Sequence, residues 1–139
     1  MDLYDLHSNP EELHGFDIAP YKIPKIAFKL ANKKPELRPK LEDVIMKDPY
    51  FSYLYAFGVL RRPWPEAESV IMKDPKVAFY YALDVLKRPW PEAEPYIMKD
   101  PKTAYYYARS VLKRRWQEAE PYIMMDRMWH VQYYKYFFK

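Results

Sequence analysis

The side chains best suited to chemistry come in runs of opposite charge. Arg61-Arg62, Lys87-Arg88 and Lys113-Arg114-Arg115 recur 26 residues apart. Each is followed by two glutamates around an alanine: Glu66 and Glu68, Glu92 and Glu94, Glu118 and Glu120. Cations at a fixed spacing suit a phosphate backbone. Paired carboxylates suit general acid–base catalysis or a metal ion. The spacing argues against the second chemistry, because residues at i and i+2 do not face each other on a helix. His7, His14 and His130 lie beside none of the pairs. No catalytic residue, metal ligand or cofactor is therefore expected, and the chain reads as a non-enzyme. Against the first chemistry, the glutamates lie within reach of the cations, inside a Debye length of about 8 Å, and cancel much of their field. Cations that close one helix and acids that open the next also complement the helix ends without any ligand. The basic clusters thus stand as an alternative, nucleic-acid-binding site.

Aromatic residues are the leading candidates. Tyr80 and Tyr106 fall about 200° around a helix from Ala78 and Ala104, away from the face those alanines define, and Leu54 occupies the same column. An exposed Leu–Tyr–Tyr line of this kind is apolar and able to hydrogen bond, which suits a protein interface. The stretch from Met128 to Phe138 is more aromatic than a cap requires. It adds Trp129, Tyr136 and Phe137 to the candidate protein-binding set. Trp64, Trp90 and Trp116 would suit a stacking platform for bases. Recurrence at every joint favours a packing role for them instead.

Positioning these residues falls to a repeated element. Ile-Met-Lys-Asp-Pro stands at 45–49, 71–75 and 97–101, and a worn copy, Ile-Met-Met-Asp-Arg, stands at 123–127. A fixed period of this length marks a stacked repeat array. In the unit 75–100, Asp74 is placed to cap a helix and Pro75 to occupy its first position. Ala78, Tyr81, Ala82, Val85 and Leu86 share one face, Lys87 and Arg88 close the helix, and Pro89 stops it. A second, shorter helix starts near Pro91, or around Glu94 if Pro95 is not to break it. Aligned units give core columns at Tyr55, Tyr81, Tyr107 and Tyr133; at Ala56, Ala82 and Ala108; at Val59, Val85 and Val111; at Leu60, Leu86 and Leu112; and at Ile45, Ile71, Ile97 and Ile123. The expected fold is all-α, an α-solenoid of short helical hairpins with a 26-residue period. Its units are 24–48, 49–74, 75–100 and 101–126, and a capping half unit at 127–139 places His130 and Tyr134 where earlier units have Ala. Residues 1–23 form an N-terminal capping segment. There Asn9, Pro10 and Gly15 are expected to frame one short helix, and Phe16, Ile18 and Tyr21 are expected to cover the first unit.

Composition bounds the rest. Half of the 139 residues are apolar, 19% are aromatic and 15 are Tyr, so a core is available and disorder is not expected despite 14 Pro. Two Gly argue against a barrel, a sandwich or a Gly-rich phosphate loop. With no Cys, disulfides, thiol catalysis and Cys-type zinc sites are excluded, and a cytoplasmic location fits. The acidic opening Met1-Asp2-Leu3-Tyr4-Asp5 is unlike a signal peptide, and no apolar run suits a membrane span. The net charge of +4 is mild, with an acidic head on a weakly basic body, and lacks the footprint of a strong nucleic-acid binder.

The stretches 78–94 and 104–120 share the pattern Ala-x-x-Tyr-Ala-x-x-Val-Leu-Lys-Arg-x-Trp-x-Glu-Ala-Glu. This resembles the short Tyr-Ala … Arg-Trp-Pro-Glu-Ala-Glu repeats of uncharacterised bacteriophage and large-virus proteins. It is more distantly similar to a bacterial helical-repeat domain of unknown function. The opening Leu6-His7-Ser8-Asn9-Pro10-Glu11-Glu12-Leu13-His14-Gly15 resembles the leader before those phage repeats. The resemblance implies a viral origin, an all-α array and no catalytic residues. The expected function is binding a host or viral protein, with nucleic acid as the alternative partner and no membrane.

Overall fold

The computed structural model describes residues 22–139. The expectations placed on His7, His14, Asn9, Pro10, Gly15, Phe16, Ile18 and Tyr21 lie outside the described residues. The fold is all-α, and no strand occurs among the described residues. The chain divides into two compact units, Met1–Val70 and Ile71–Lys139, of which the first is described from residue 22.

In the first unit, α1 (Pro24–Lys33) packs on α2 (Arg38–Ile45) and α3 (Pro49–Leu54). Pro24 sits at the start of α1, where its missing N–H costs nothing. Ile26, Ala27, Leu30 and Ala31 form its buried stripe at helical spacing. Asp48 caps α3 by accepting the Phe51 N–H at 2.8 Å. The helix runs on through a π-helical turn, Tyr55–Leu60, and a 3-10 turn at Pro65–Ala67 leads into α4 (Glu68–Ile71).

The second unit uses the same parts. α5 (Pro75–Tyr81) and α7 (Pro101–Tyr107) each continue as a π-helical turn, Ala82–Leu86 and Ala108–Leu112. Two short helices follow them, α6 (Glu94–Ile97) and α8 (Glu120–Ile123), and α9 (Arg127–Phe137) runs without a π turn. α5 packs on α6 and α7, and α7 packs on α8 and α9. Asp74 accepts the Val77 N–H and Asp126 the Trp129 N–H, as capping requires. Asp100 instead engages the Thr103 hydroxyl. Pro95 stands in the first turn of α6, where it breaks no interior bond.

The expected Tyr, Ala and Ile columns are buried. Tyr55, Tyr81, Tyr107 and Tyr133 are fully enclosed, as are Ala56, Ala82 and Ala108 and the four isoleucines. The Val and Leu columns are not core. Val59, Val85, Val111, Leu60, Leu86 and Leu112 are only half-buried. The helix closes at these residues, so they stand on its last turn at the rim. The closing device also differs from expectation. Arg61, Lys87 and Lys113 adopt left-handed φ of 55°, 56° and 57°, which ends each helix two residues before the position of Pro63, Pro89 or Arg115. The backbone N–H groups of Lys87 and Arg88 both turn back to the Ala82 carbonyl. Arg61 and Arg62 treat Ala56 in this way, and Lys113 and Arg114 treat Ala108 so. That wrap is wider than a Schellman close, in which the two N–H groups reach two different carbonyls; the bond from Lys87 to Ala82, five residues back, is the π-helical bond of the last turn.

Candidate functional site

Glu94, Glu120 and the three Trp of the joints are consumed by the fold, while Glu66, Glu92 and Glu118 are exposed. In the second unit, the Tyr107 hydroxyl donates to Glu94 Oε2 at 2.8 Å and accepts the Trp90 N–H at 2.7 Å. Tyr133 repeats this with Glu120 at 2.7 Å and the Trp116 N–H at 2.8 Å. In the first unit, Tyr55 donates to Glu42 at 2.6 Å. Each tyrosine lies 13 residues after its glutamate, half of the 26-residue spacing. That relationship was open to reading in the sequence and was missed there. Trp64, Trp90 and Trp116 are buried, and their rings tilt against Tyr55, Tyr81 and Tyr107 at 4.8–5.0 Å. No face of these indoles is free to stack on a base. Burial raises the pKa of Tyr55, Tyr107 and Tyr133, and the facing carboxylates raise it further; for Tyr107 and Tyr133 the Trp N–H bonds oppose the shift.

The cations divide into two groups. Arg61, Arg62, Lys87, Arg88, Lys113 and Arg114 are exposed. Arg62, Arg88 and Arg114 each donate from Nη1 to the carbonyl of the following residue at 2.9–3.0 Å. Arg115 belongs elsewhere. It makes two hydrogen bonds to Glu120 and stacks over Phe138 at 4.1 Å, so it leaves the candidate nucleic-acid set. Its guanidinium is the main cause of the depressed Glu120 pKa.

Leu54, Tyr80 and Tyr106 are half-buried, not exposed. Leu54 lies in the first unit. Tyr80 and Tyr106 lie in the second and line one groove of about 320 Å³. Phe79 from α5, with Asp100 and Thr103 at the start of α7, completes its wall, and Lys76 and Lys102 stand at its sides. Lys76 lies 5.8 Å from the Tyr80 ring centre, and Lys102 lies 5.8 Å from that of Trp129. Trp129 meets Tyr106 edge-on at 5.6 Å, which carries the aromatic surface onto α9. No family model, curated protein or solved structure matches this chain. The site must therefore be read from its own chemistry.

Tyr136 is 39% exposed and lies under Arg109, whose guanidinium is 4.6 Å from its ring centre. Phe137 is half-buried against Tyr133 at 4.7 Å and braces the core more than it faces solvent. His130 packs edge-on to Tyr134 at 4.8 Å. Among the described residues, no three His, Asp or Glu side chains gather as metal ligands would. No helix there is long and apolar enough to cross a membrane.

Proposed function

We propose that this chain is a non-catalytic helical-repeat protein of the bacteriophage and large-virus kind, stacked as a solenoid, that binds a host or viral protein in the host cytoplasm. The observation that carries this reading is the groove between α5 and α7. It combines the rings of Phe79, Tyr80 and Tyr106 with flanking Lys76 and Lys102, while Asp100, the one carboxylate among its described lining residues, is engaged by Thr103. Rings and lysines together suit a segment carrying an aromatic or aliphatic anchor beside an acidic residue. The neighbouring Trp129 lengthens that surface. The buried Tyr–Glu–Trp joints support the same reading, because they tie α7, one wall of the groove, to α6, and α9, which carries Trp129, to α8.

The test is affinity capture from a nuclease-treated host lysate, comparing the wild-type chain with Tyr80→Ser. A partner retained by the wild type and lost from the variant, with an unchanged melting temperature, supports the reading. Equal capture by both, or loss of every partner after nuclease treatment, overturns it.

A further inference from the structure

Arg61, Lys87 and Lys113 are the three described residues other than Gly with left-handed φ. Glycine is the default there, since a Cβ is disfavoured in this conformation. The chain places neither of its two glycines at such a joint, and Gly58, which is described, has no positive φ. Three joints out of three carry a long cation instead. The fold supplies no reason for those side chains. The closing bonds to Ala82 and Ala108 come from backbone N–H groups, which glycine would provide equally well. Lys87 and Lys113 are exposed, and neither side chain has a hydrogen-bond or ion-pair partner among the described residues. Helix-end electrostatics accounts for a cation near each terminus. It does not account for a cation on the one residue where a side chain is disfavoured.

These two lysines meet at a cleft of about 360 Å³ inside the second unit. Arg88 joins them, steadied by its hydrogen bond to the Pro89 carbonyl at 2.9 Å. Ser110 adds a hydroxyl, and Leu83, Pro89 and Val111 give an apolar wall. Among the described residues no carboxylate lines the cleft, and Glu94, which follows in the chain, is held by Tyr107. The geometry points to a phosphate-ester site: Lys87, Arg88 and Lys113 take the phosphoryl oxygens, Ser110 donates to one of them, and the wall packs against the esterified group. A volume near 360 Å³ holds one nucleotide unit. The ester is a free nucleotide or one residue of a single strand, and the two sources share this chemistry. The site uses none of the residues of the Tyr80 groove, so it stands or falls independently of protein binding.

The decisive variant is Lys87→Gly with Lys113→Gly, which removes both side chains and relaxes both joints. Binding to the full chain would be followed by titration calorimetry with inorganic phosphate, ATP and a ten-nucleotide single-stranded DNA, at low and high salt. The expected result is saturable binding of at least one ester, weakened at least tenfold in the double variant and steeply by salt. The melting temperature of the variant should hold or rise. Tighter binding of ATP than of the oligonucleotide assigns the free nucleotide, and the reverse assigns the strand. The inference is overturned if neither ester binds saturably, if inorganic phosphate alone binds, or if the variant binds as the wild type does. A lowered melting temperature also overturns it, because the lysines would then serve the fold.

Discussion

Tyr107 ties Glu94 to its own phenol at 2.8 Å while the same oxygen receives the Trp90 N–H at 2.7 Å. One hydroxyl thus satisfies a buried backbone donor and a carboxylate at the same joint. Tyr107→Phe keeps the ring against Trp116 and removes both bonds. It should cost about 1–3 kcal/mol, the usual penalty for stranding a buried polar group. Tyr136→Phe, at an exposed ring, should stay within about 0.5 kcal/mol of wild type. Urea denaturation of both variants checks this, and equal stabilities would refute the joint's importance.

The buried phenols also set an alkaline limit. Tyr55, Tyr107 and Tyr133 have folded-state pKa values above the ordinary tyrosine value, chiefly through burial and then through their glutamates. A raised folded pKa gives stability that is complete below about pH 10 and is lost as pH rises toward the folded value. Unfolding should therefore set in above about pH 10, with three tyrosines ionising only as helix is lost. Tyrosinate absorbance recorded beside circular dichroism distinguishes the cases. A smooth titration of every tyrosine with helix intact would contradict the prediction.

Most of the fold was readable because helical caps and spacing are local. Asp74-Pro75 announces α5, and the Tyr, Ala and Ile columns mark what is buried. The helix ends were less legible. Lys87 in a left-handed turn breaks the residue preference by which such turns are recognised, so the sequence points to Pro89 as the stop. The candidate groove was half legible. Helical geometry placed Tyr80 and Tyr106 off the core face, yet their meeting in one groove between α5 and α7, and the pairing of Tyr106 with Trp129, depend on tertiary approach. Arg115 looked like its neighbours in the basic run. Only the structure turns it toward Glu120.

Acid should weaken the α8–α9 joint in a defined direction. Glu120 has a depressed pKa, first through Arg115 and also through Tyr133. A depressed folded pKa gives stability that is present above the unfolded carboxylate value, about 4.3, and is lost as pH falls through the folded one. Glu120→Gln should accordingly be less stable than wild type at pH 7, with the gap closing below about pH 4. Thermal melts across pH 3 to 7 measure it. A gap that is independent of pH would show that the charge on Glu120 does not matter.

Gly58 and Arg61 have their usual positions reversed. Gly58 lies inside the π-helical turn without positive φ, and a Cβ built there meets nothing within 4 Å. Gly58→Ala should therefore stabilise the chain by about 0.5–1 kcal/mol, by removing unfolded-state freedom. Arg61 carries a side chain at φ 55°. An L residue there is strained by roughly 1–2 kcal/mol, and glycine returns about half of that as backbone entropy, so Arg61→Gly should gain up to about 1 kcal/mol. The two sites lie three residues apart in one turn, so their effects need not add, and the double variant measures the coupling. Urea midpoints of the three variants test both signs. Destabilisation by Arg61→Gly would mean that the guanidinium supports the fold, and would remove the reason for seeking a ligand at the equivalent Lys87 and Lys113.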